Sequence, residues 1–127
     1  MNMPSLGMGK KYKLSDIIVS LVVPENVIGN YAFGYIDEVK GAFIVCYVGR
    51  SDSDLRKEIK QQMKTDRAEG CTHFKYSLAR TTKEAFEKEC RNYHDFGGSK
   101  SLHNDYHPDK PDYTNYKCPV EGCEYND

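Results

Sequence analysis

GNYAFGYIDEVKGAFIVCYVGRS, residues 29–51, is the stretch that decides the fold. Aromatic residues alternate with small or aliphatic ones over 31–36, which is the period of a half-buried strand. Turn-forming residues occupy 37–41, and 42–48 is a second run rich in β-branched and aromatic residues. Two such runs joined by a short turn predict an antiparallel β-hairpin.

Three aromatic side chains of the first strand share one face of this hairpin. Tyr31, Phe33 and Tyr35 are spaced two residues apart, and side chains alternate across a strand. Tyr47 of the second strand can lie opposite Tyr31, which would bring two hydroxyl groups together. Paired aromatic residues on a sheet face are also typical of a hydrophobic core, so both roles stay open at this point.

Two amphipathic helices and a third strand follow the hairpin. The segment 51–67 repeats an apolar residue every fourth position after Ser51, a plausible N-cap, and predicts a helix that ends near Arg67. Residues 72–79 alternate like a strand, and Thr81–Glu84 is a capping box that begins a second helix. The apolar stripe of that helix consists of Phe86, Cys90 and Tyr93.

The expected fold class is α/β in the broad sense, and α+β more strictly, with a small antiparallel three-stranded sheet flanked by helices. A length of 127 residues favours one domain. Residues 1–28 combine a frayed arm over 1–14 with a short apolar element that is either helix or strand, 29–104 form the domain, and 105–127 form an irregular extension. Because the last part of the chain has few large aliphatic residues, the extension must drape over the domain, be pinned by a metal, or stay partly mobile.

Charge and cysteine usage narrow the functional classes. The formal net charge is -1, so no overall cationic field favours nucleic acid. A local cationic surface is predicted on the first helix by the candidate DNA-binding residues Lys57, Lys60, Lys64 and Arg67. The apolar stretch 17–23 is far short of the roughly 20 residues that span a membrane, so no membrane partner is expected. Five cysteines spread over the chain predict reduced thiols and a cytoplasmic location.

Two short motifs in the hairpin resemble those that name the GIY-YIG nuclease family. Tyr47-Val48-Gly49-Arg50-Ser51 is similar to the second motif. Gly29-Asn30-Tyr31 is similar to the first, with Asn at its apolar position, and Gly34-Tyr35-Ile36 is a second candidate for it. The resemblance covers residues 29–104 and implies a metal-dependent DNA endonuclease. A double-strand break by so short a chain would need a homodimer or a protein partner.

The resemblance also implies roles for single residues. Tyr47, together with Tyr31 or Tyr35, would orient and activate the attacking water. Glu89, in the run Glu84-Ala-Phe-Glu-Lys-Glu89, would hold one Mg²⁺ or Mn²⁺ ion. Asn104 stands where the family often has an asparagine that anchors its loop.

One position departs from the family pattern. The family's arginine on the first helix falls at Glu58, where an acidic side chain would repel phosphate. Arg50 and Arg56 are the candidate replacements, although Arg56 lies about 200° from that position around a helix. The alternative is therefore a catalytically inactive module that binds nucleic acid or protein on the same scaffold.

A separate group of cysteines and histidines occupies the C-terminal part. Cys118 and Cys123 are joined by four residues, and His103 and His107 lie upstream. These residues predict a structural Zn²⁺ site, with the choice among His94, His103 and His107 open. A small zinc-stabilised interaction domain is the third functional interpretation.

Overall fold

The computed structural model describes residues 5–126 and contains one antiparallel sheet with three α-helices. The sheet order is β1-β4-β2-β3. The strands are β1 Tyr12–Lys13, β2 Gly29–Ile36, β3 Phe43–Ser51 and β4 His73–Leu78, and the helices are α1 Asp16–Val22, α2 Leu55–Gln62 and α3 Thr82–Asp95. The predicted α+β class is confirmed, but the prediction of three strands is wrong because the sheet has four.

The additional strand lies in the segment that was expected to be an arm. Tyr12 pairs with Phe74 and Lys13 with His73 at the edge of the sheet, and Leu6 is buried. A strand of two residues has no periodicity that a sequence could display. The apolar element after it is helix α1, whose first turn is capped by Ser15: its hydroxyl accepts a hydrogen bond from the amide of Ile18 at 3.2 Å.

The central strand β2 is buried on both faces. Tyr31 and Phe33 pack with Phe74 against α1 and α2, in a cluster completed by Val19, Val23, Leu55 and Ile59. Ala32 points to the opposite face, where it packs with Val48 and with Tyr93 of α3. The helices therefore form two layers around the sheet, with α1 and α2 on one side and α3 on the other.

The register of the hairpin differs from the expected one by two residues. Tyr31 lies opposite Gly49, and Tyr47 lies opposite Phe33 rather than opposite Tyr31. The ring of Tyr31 occupies the space beside Gly49, where an added Cβ atom would lie 2.5 Å from the Tyr31 hydroxyl. Glycine at position 49 therefore makes room for the buried tyrosine.

The bounds of α2 also differ from the prediction, whereas those of α3 agree closely. Asp54 caps α2 by accepting from the Lys57 amide at 3.2 Å, so the predicted N-cap Ser51 is wrong, and the helix ends at Gln62 rather than near Arg67. Thr81 caps α3 as predicted, accepting from the Glu84 amide at 3.1 Å. The predicted apolar stripe of α3 is buried.

The C-terminal segment packs against the outer side of α3. Phe86 and Cys90 of α3 form a buried cluster with Cys118, and further contacts come from Tyr116, Val120, Cys123 and Tyr125. The segment thus drapes over the helix, one of the three arrangements that its composition allowed. Among the described residues, no helix has the length and apolar character needed to cross a membrane.

We predict that Gly49→Ala lowers the free energy of unfolding by about 1–3 kcal/mol, because the new methyl group overpacks the ring of Tyr31. Denaturant unfolding measures the change. Gly9→Ala is the matched control, since a Cβ atom at position 9 has nothing within 4 Å. Equal stabilities of the two variants would contradict the packing described for Tyr31.

Candidate functional site

A small polar cleft of about 160 Å³ opens at the junction of β3, α3 and the C-terminal segment. Tyr47 of β3, Glu89 of α3 and Arg67 of the short 3₁₀ helix Asp66–Ala68 contribute to its lining. The remaining wall is the loop from Asn104 to Pro108. The cleft therefore combines the phenol of Tyr47, the guanidinium group of Arg67 and the carboxylates of Glu89 and Asp105.

Glu89 is the most buried charged group of the cleft, with 8% of its surface exposed. Arg50 Nη1 donates to Glu89 Oε1 at 2.6 Å, and Arg50 Nε donates to Asp52 Oδ1 at 2.9 Å. The Arg50 guanidinium also lies over the ring of Phe86, 5.2 Å from its centre. Within the described chain, Glu89 Oε2 accepts no hydrogen bond, so one carboxylate oxygen is available to a ligand.

Burial and the neighbouring Arg50 shift the pKa of Glu89 in opposite directions. Removal from water raises the pKa of Glu89 to about 7, although the positive charge and hydrogen bond of Arg50 lower it. Arg50 therefore offsets only part of the cost of placing this carboxylate inside the protein. A divalent cation on Oε2 would offset more of it.

Tyr31 does not open to the cleft. Its side chain is fully buried, and its hydroxyl donates to Glu58 Oε2 at 2.9 Å. Burial, followed by the neighbouring Tyr47 and Glu58, raises the pKa of Tyr31 well above the ordinary value. The ring centres of Tyr31 and Tyr47 are 6.1 Å apart, so Tyr31 packs against the side of Tyr47 that faces the core.

The phenol of Tyr47 faces the cleft and stays protonated at neutral pH. Burial raises the pKa of Tyr47, and the nearby charge of Arg67 counters part of that rise. The Arg67 guanidinium lies 6.0 Å from the centre of the Tyr47 ring. Tyr47 can therefore donate a hydrogen bond to an oxygen atom in the cleft.

Glu58, the α2 residue at which the resemblance would place an arginine, is half-buried. Burial raises the pKa of Glu58, while the hydrogen bond from Tyr31 and the charge of Arg67 lower it. The side chain is held by Tyr31 on β2. Its carboxylate therefore ties α2 to the sheet.

Asn104 anchors the loop that closes the cleft. Its amide Nδ2 donates to the carbonyl of Val48 at 2.8 Å, and its Oδ1 accepts from the Val48 amide at 3.1 Å. Asn104 is buried, with 6% of its surface exposed. This double hydrogen bond satisfies both backbone groups of Val48 and fixes the start of the 105–108 loop against β3.

Two candidate catalytic residues lie away from the cleft. Tyr35 is 42% exposed at the other end of the hairpin. Arg56 donates to Glu25 at 2.6 Å and to the carbonyl of Val23, so it is held against the end of α1. Of the two candidate replacements for the missing arginine, only Arg50 contacts Glu89.

The candidate DNA-binding residues divide into two groups. Lys57, Lys60 and Lys64 line an open hollow of about 470 Å³ on the outer side of α2. Lys60 is engaged there by Asp16 and Ser20 of α1. Arg67 alone lines the Tyr47 and Glu89 cleft.

Four cysteine and histidine side chains meet beside α3. The ligand atoms of His94, His107, Cys118 and Cys123 all lie within 4.8 Å of one another, an arrangement that could hold a metal ion. His103 lies outside this group, because its ring nitrogen Nδ1 contacts the carbonyl oxygen of Arg67 at 3.0 Å. The prediction of His103 as a ligand is therefore wrong. All five cysteines are free thiols.

The ring nitrogens of His94 and His107 are arranged in a way that suits metal ligation. His107 Nδ1 lies 2.7 Å from the carbonyl of Pro108, and a proton on that nitrogen leaves Nε2 with its lone pair, 3.3 Å from Cys123 Sγ. His94 Nε2 is buried and has no hydrogen-bond partner among the described residues. A metal ion between these groups would satisfy that nitrogen.

Sequence reasoning missed three parts of the site. Asp52 holds Arg50, Arg67 reaches the cleft, and the loop 105–108 forms a wall. Asp52 lies only two residues from Arg50, and this close spacing was the one available signal. The other two depend on where the 3₁₀ helix and the C-terminal segment lie in space.

Comparison of the chain with family models, curated proteins and solved structures found no match. What the cleft does must therefore follow from its own side chains.

We predict that Arg50→Met costs about 3 kcal/mol of unfolding free energy, since it leaves the buried Glu89 carboxylate without its cation. Urea unfolding measures the cost. The double variant Arg50→Met/Glu89→Gln has no unpaired charge at position 89, so its loss should be clearly smaller than the sum of the two single losses. Arg80→Met, at an exposed position, should change stability by less than about 0.5 kcal/mol. Additive single losses would rule out a direct interaction between Arg50 and Glu89.

Proposed function

We propose that the cleft hydrolyses phosphodiester bonds of DNA with one Mg²⁺ or Mn²⁺ ion. The observation that carries the proposal is the juxtaposition of Tyr47, Arg67 and the buried Glu89 in one small polar cleft. The similarity of the two hairpin motifs to the GIY-YIG nuclease family gives the same expectation.

Each group in the cleft has a task in this reaction. Glu89 Oε2 would bind the metal, which would retain water and contact a phosphate oxygen. The metal would supply Lewis-acid stabilisation of the charge that develops on phosphate. Tyr47, as a protonated phenol, would orient the attacking water or a phosphate oxygen by donating a hydrogen bond.

Arg67 is the cation best placed to contact phosphate. It lines the cleft directly, whereas Arg50 already donates to both Glu89 and Asp52. Arg67 would thus supply a positive charge in the cleft that α2 does not supply, because Glu58 stands where the resemblance would place an arginine. Tyr31 is a positioning residue in this arrangement, since it is buried behind Tyr47.

The second candidate function is a catalytically inactive module that binds nucleic acid or protein. Its support is the Arg50–Glu89 ion pair, which already neutralises the carboxylate that would hold the metal. The hollow lined by Lys57, Lys60 and Lys64 would then provide the binding surface. This function predicts binding that a chelator does not affect.

We predict that Tyr47→Phe and Glu89→Gln each reduce cleavage of labelled DNA by about 10²–10⁴-fold. The phenylalanine keeps the ring and removes only the hydroxyl. The glutamine removes the charge that holds the cation. Single-stranded, double-stranded and branched substrates, each with Mg²⁺ or Mn²⁺, provide the assay.

Glu87→Gln on the same helix is the matched control, since Glu87 makes no hydrogen bond or ion pair within the described chain. It should cleave like the unsubstituted protein. Binding without cleavage in every metal would favour the inactive module. Cleavage that both cleft variants retain would reject the nuclease assignment.

We infer, second, that the cysteine and histidine cluster takes Zn²⁺. Two thiolates and two imidazoles form a common tetrahedral zinc ligand set. Tetrahedral bond lengths place such ligand atoms about 3.4–3.8 Å apart, so the observed separations need only a small contraction. A reducing compartment such as the cytoplasm would keep the thiols available.

We predict one Zn²⁺ per chain by elemental analysis of the purified protein. His94→Ala and Cys118→Ser should each lower the zinc content by removing a ligand. His103→Ala should retain full zinc, because its ring lies on the carbonyl of Arg67. Loss of zinc in the His103 variant alone would place the metal elsewhere.

A further inference from the structure

The loop 105–108 contributes both to the Tyr47 and Glu89 cleft and to the cysteine and histidine cluster. Its residues form one wall of the Tyr47 and Glu89 cleft. One of them, His107, is also a member of the cysteine and histidine cluster. The position of the wall is therefore linked to the geometry of the cluster through a single side chain.

Other contacts also hold this wall: Pro108 is buried, and the ring of His107 lies 5.3 Å from that of Tyr93 on α3. Asn104 fixes its beginning to Val48 of β3. At its end, the ring of His107 stacks on Tyr125, with ring centres 4.3 Å apart, and Tyr125 donates to Asp109 at 2.6 Å. Tyr125 itself belongs to the segment that carries Cys118 and Cys123.

Without a metal, the segment after the wall is held to α3 by one small cluster, in which Tyr116, Cys118 and Tyr125 pack near Phe86 and Cys90. Val120 is the only large aliphatic residue from Asp109 to the C-terminus. Asn126 bonds twice to the backbone of Cys118, which closes the segment on itself rather than on the domain. A metal that joins His107, Cys118 and Cys123 to His94 of α3 would tie the whole segment to the helix that carries Glu89.

We propose that Zn²⁺ in the cluster assembles the cleft by fixing the 105–108 wall, so that the cleft cleaves DNA at its full rate only in the zinc-loaded protein. The inference rests on the proposed function for the identity of the substrate. The zinc ion contacts no substrate, and His94, Cys118 and Cys123 are positioning residues that act through the wall.

The test compares a cluster variant with a cleft variant of the full chain. His94→Ala removes a cluster ligand that does not line the cleft, and Tyr47→Phe changes the cleft without touching the cluster. Amide hydrogen exchange by mass spectrometry follows peptides that cover 103–110 and, as a folding control, peptides of β2 and β3. DNA cleavage in Mg²⁺ is measured on the same samples after gel filtration has removed any chelator.

We expect His94→Ala to lose zinc, lose exchange protection over 103–110 and cut DNA about 100-fold more slowly, while β2 and β3 keep their protection. Tyr47→Phe should keep both its zinc and the protection of the wall. Protein stripped of metal should behave like His94→Ala, and adding back Zn²⁺ should restore both the protection of the wall and the cleavage measured in Mg²⁺.

Two outcomes would overturn the inference. One is a zinc-free protein whose 103–110 peptides remain as protected as those of the loaded protein. The other is cleavage that persists after zinc is removed and protection of the wall is lost. If the unsubstituted, loaded protein cuts no DNA, the proposed function fails, but hydrogen exchange still decides whether zinc builds the wall.

Discussion

Burial of β2 on both faces is the constraint on which the rest of the structure depends. From Gly29 to Gly34 every residue of this strand is buried, with β3 and β4 paired along its two edges. Neighbouring backbone approaches so closely at Gly29 that a Cβ atom there would collide with the carbonyl of Ser77. The helices must therefore cover both faces of a thin sheet, which places α3 and the α1–α2 pair on opposite sides.

This two-layer arrangement explains why the cleft lies at the end of the hairpin. Arg50 and Tyr47 belong to one strand, yet Tyr47 packs on the side of α2 while Arg50 reaches Glu89 on α3. Gly49 lies between them and leaves room for the Tyr31 ring. Groups carried by opposite layers can therefore approach each other around the sheet edge, where the cleft opens.

The polar groups of the site are stabilised by one another rather than by water. Arg50 and Asn104 satisfy buried acceptors on α3 and β3. Glu89 keeps a pKa of about 7 because its desolvation is only partly compensated. A carboxylate with one uncommitted oxygen lies beside a phenol and a guanidinium group, and the cysteine and histidine cluster lies one to two helical turns further along α3.

Local sequence determined the hairpin, the cap Thr81 and the apolar stripe of α3, because each depends on residues close together in the chain. It also limited the candidate members of the cysteine and histidine cluster to two cysteines and three histidines. Tertiary structure alone decided that His94 joins the cluster, that Arg67 enters the cleft, and that Tyr31 faces Gly49. These outcomes depend on strand register and on where a segment with few aliphatic residues packs, and both are set by contacts between residues far apart in the sequence.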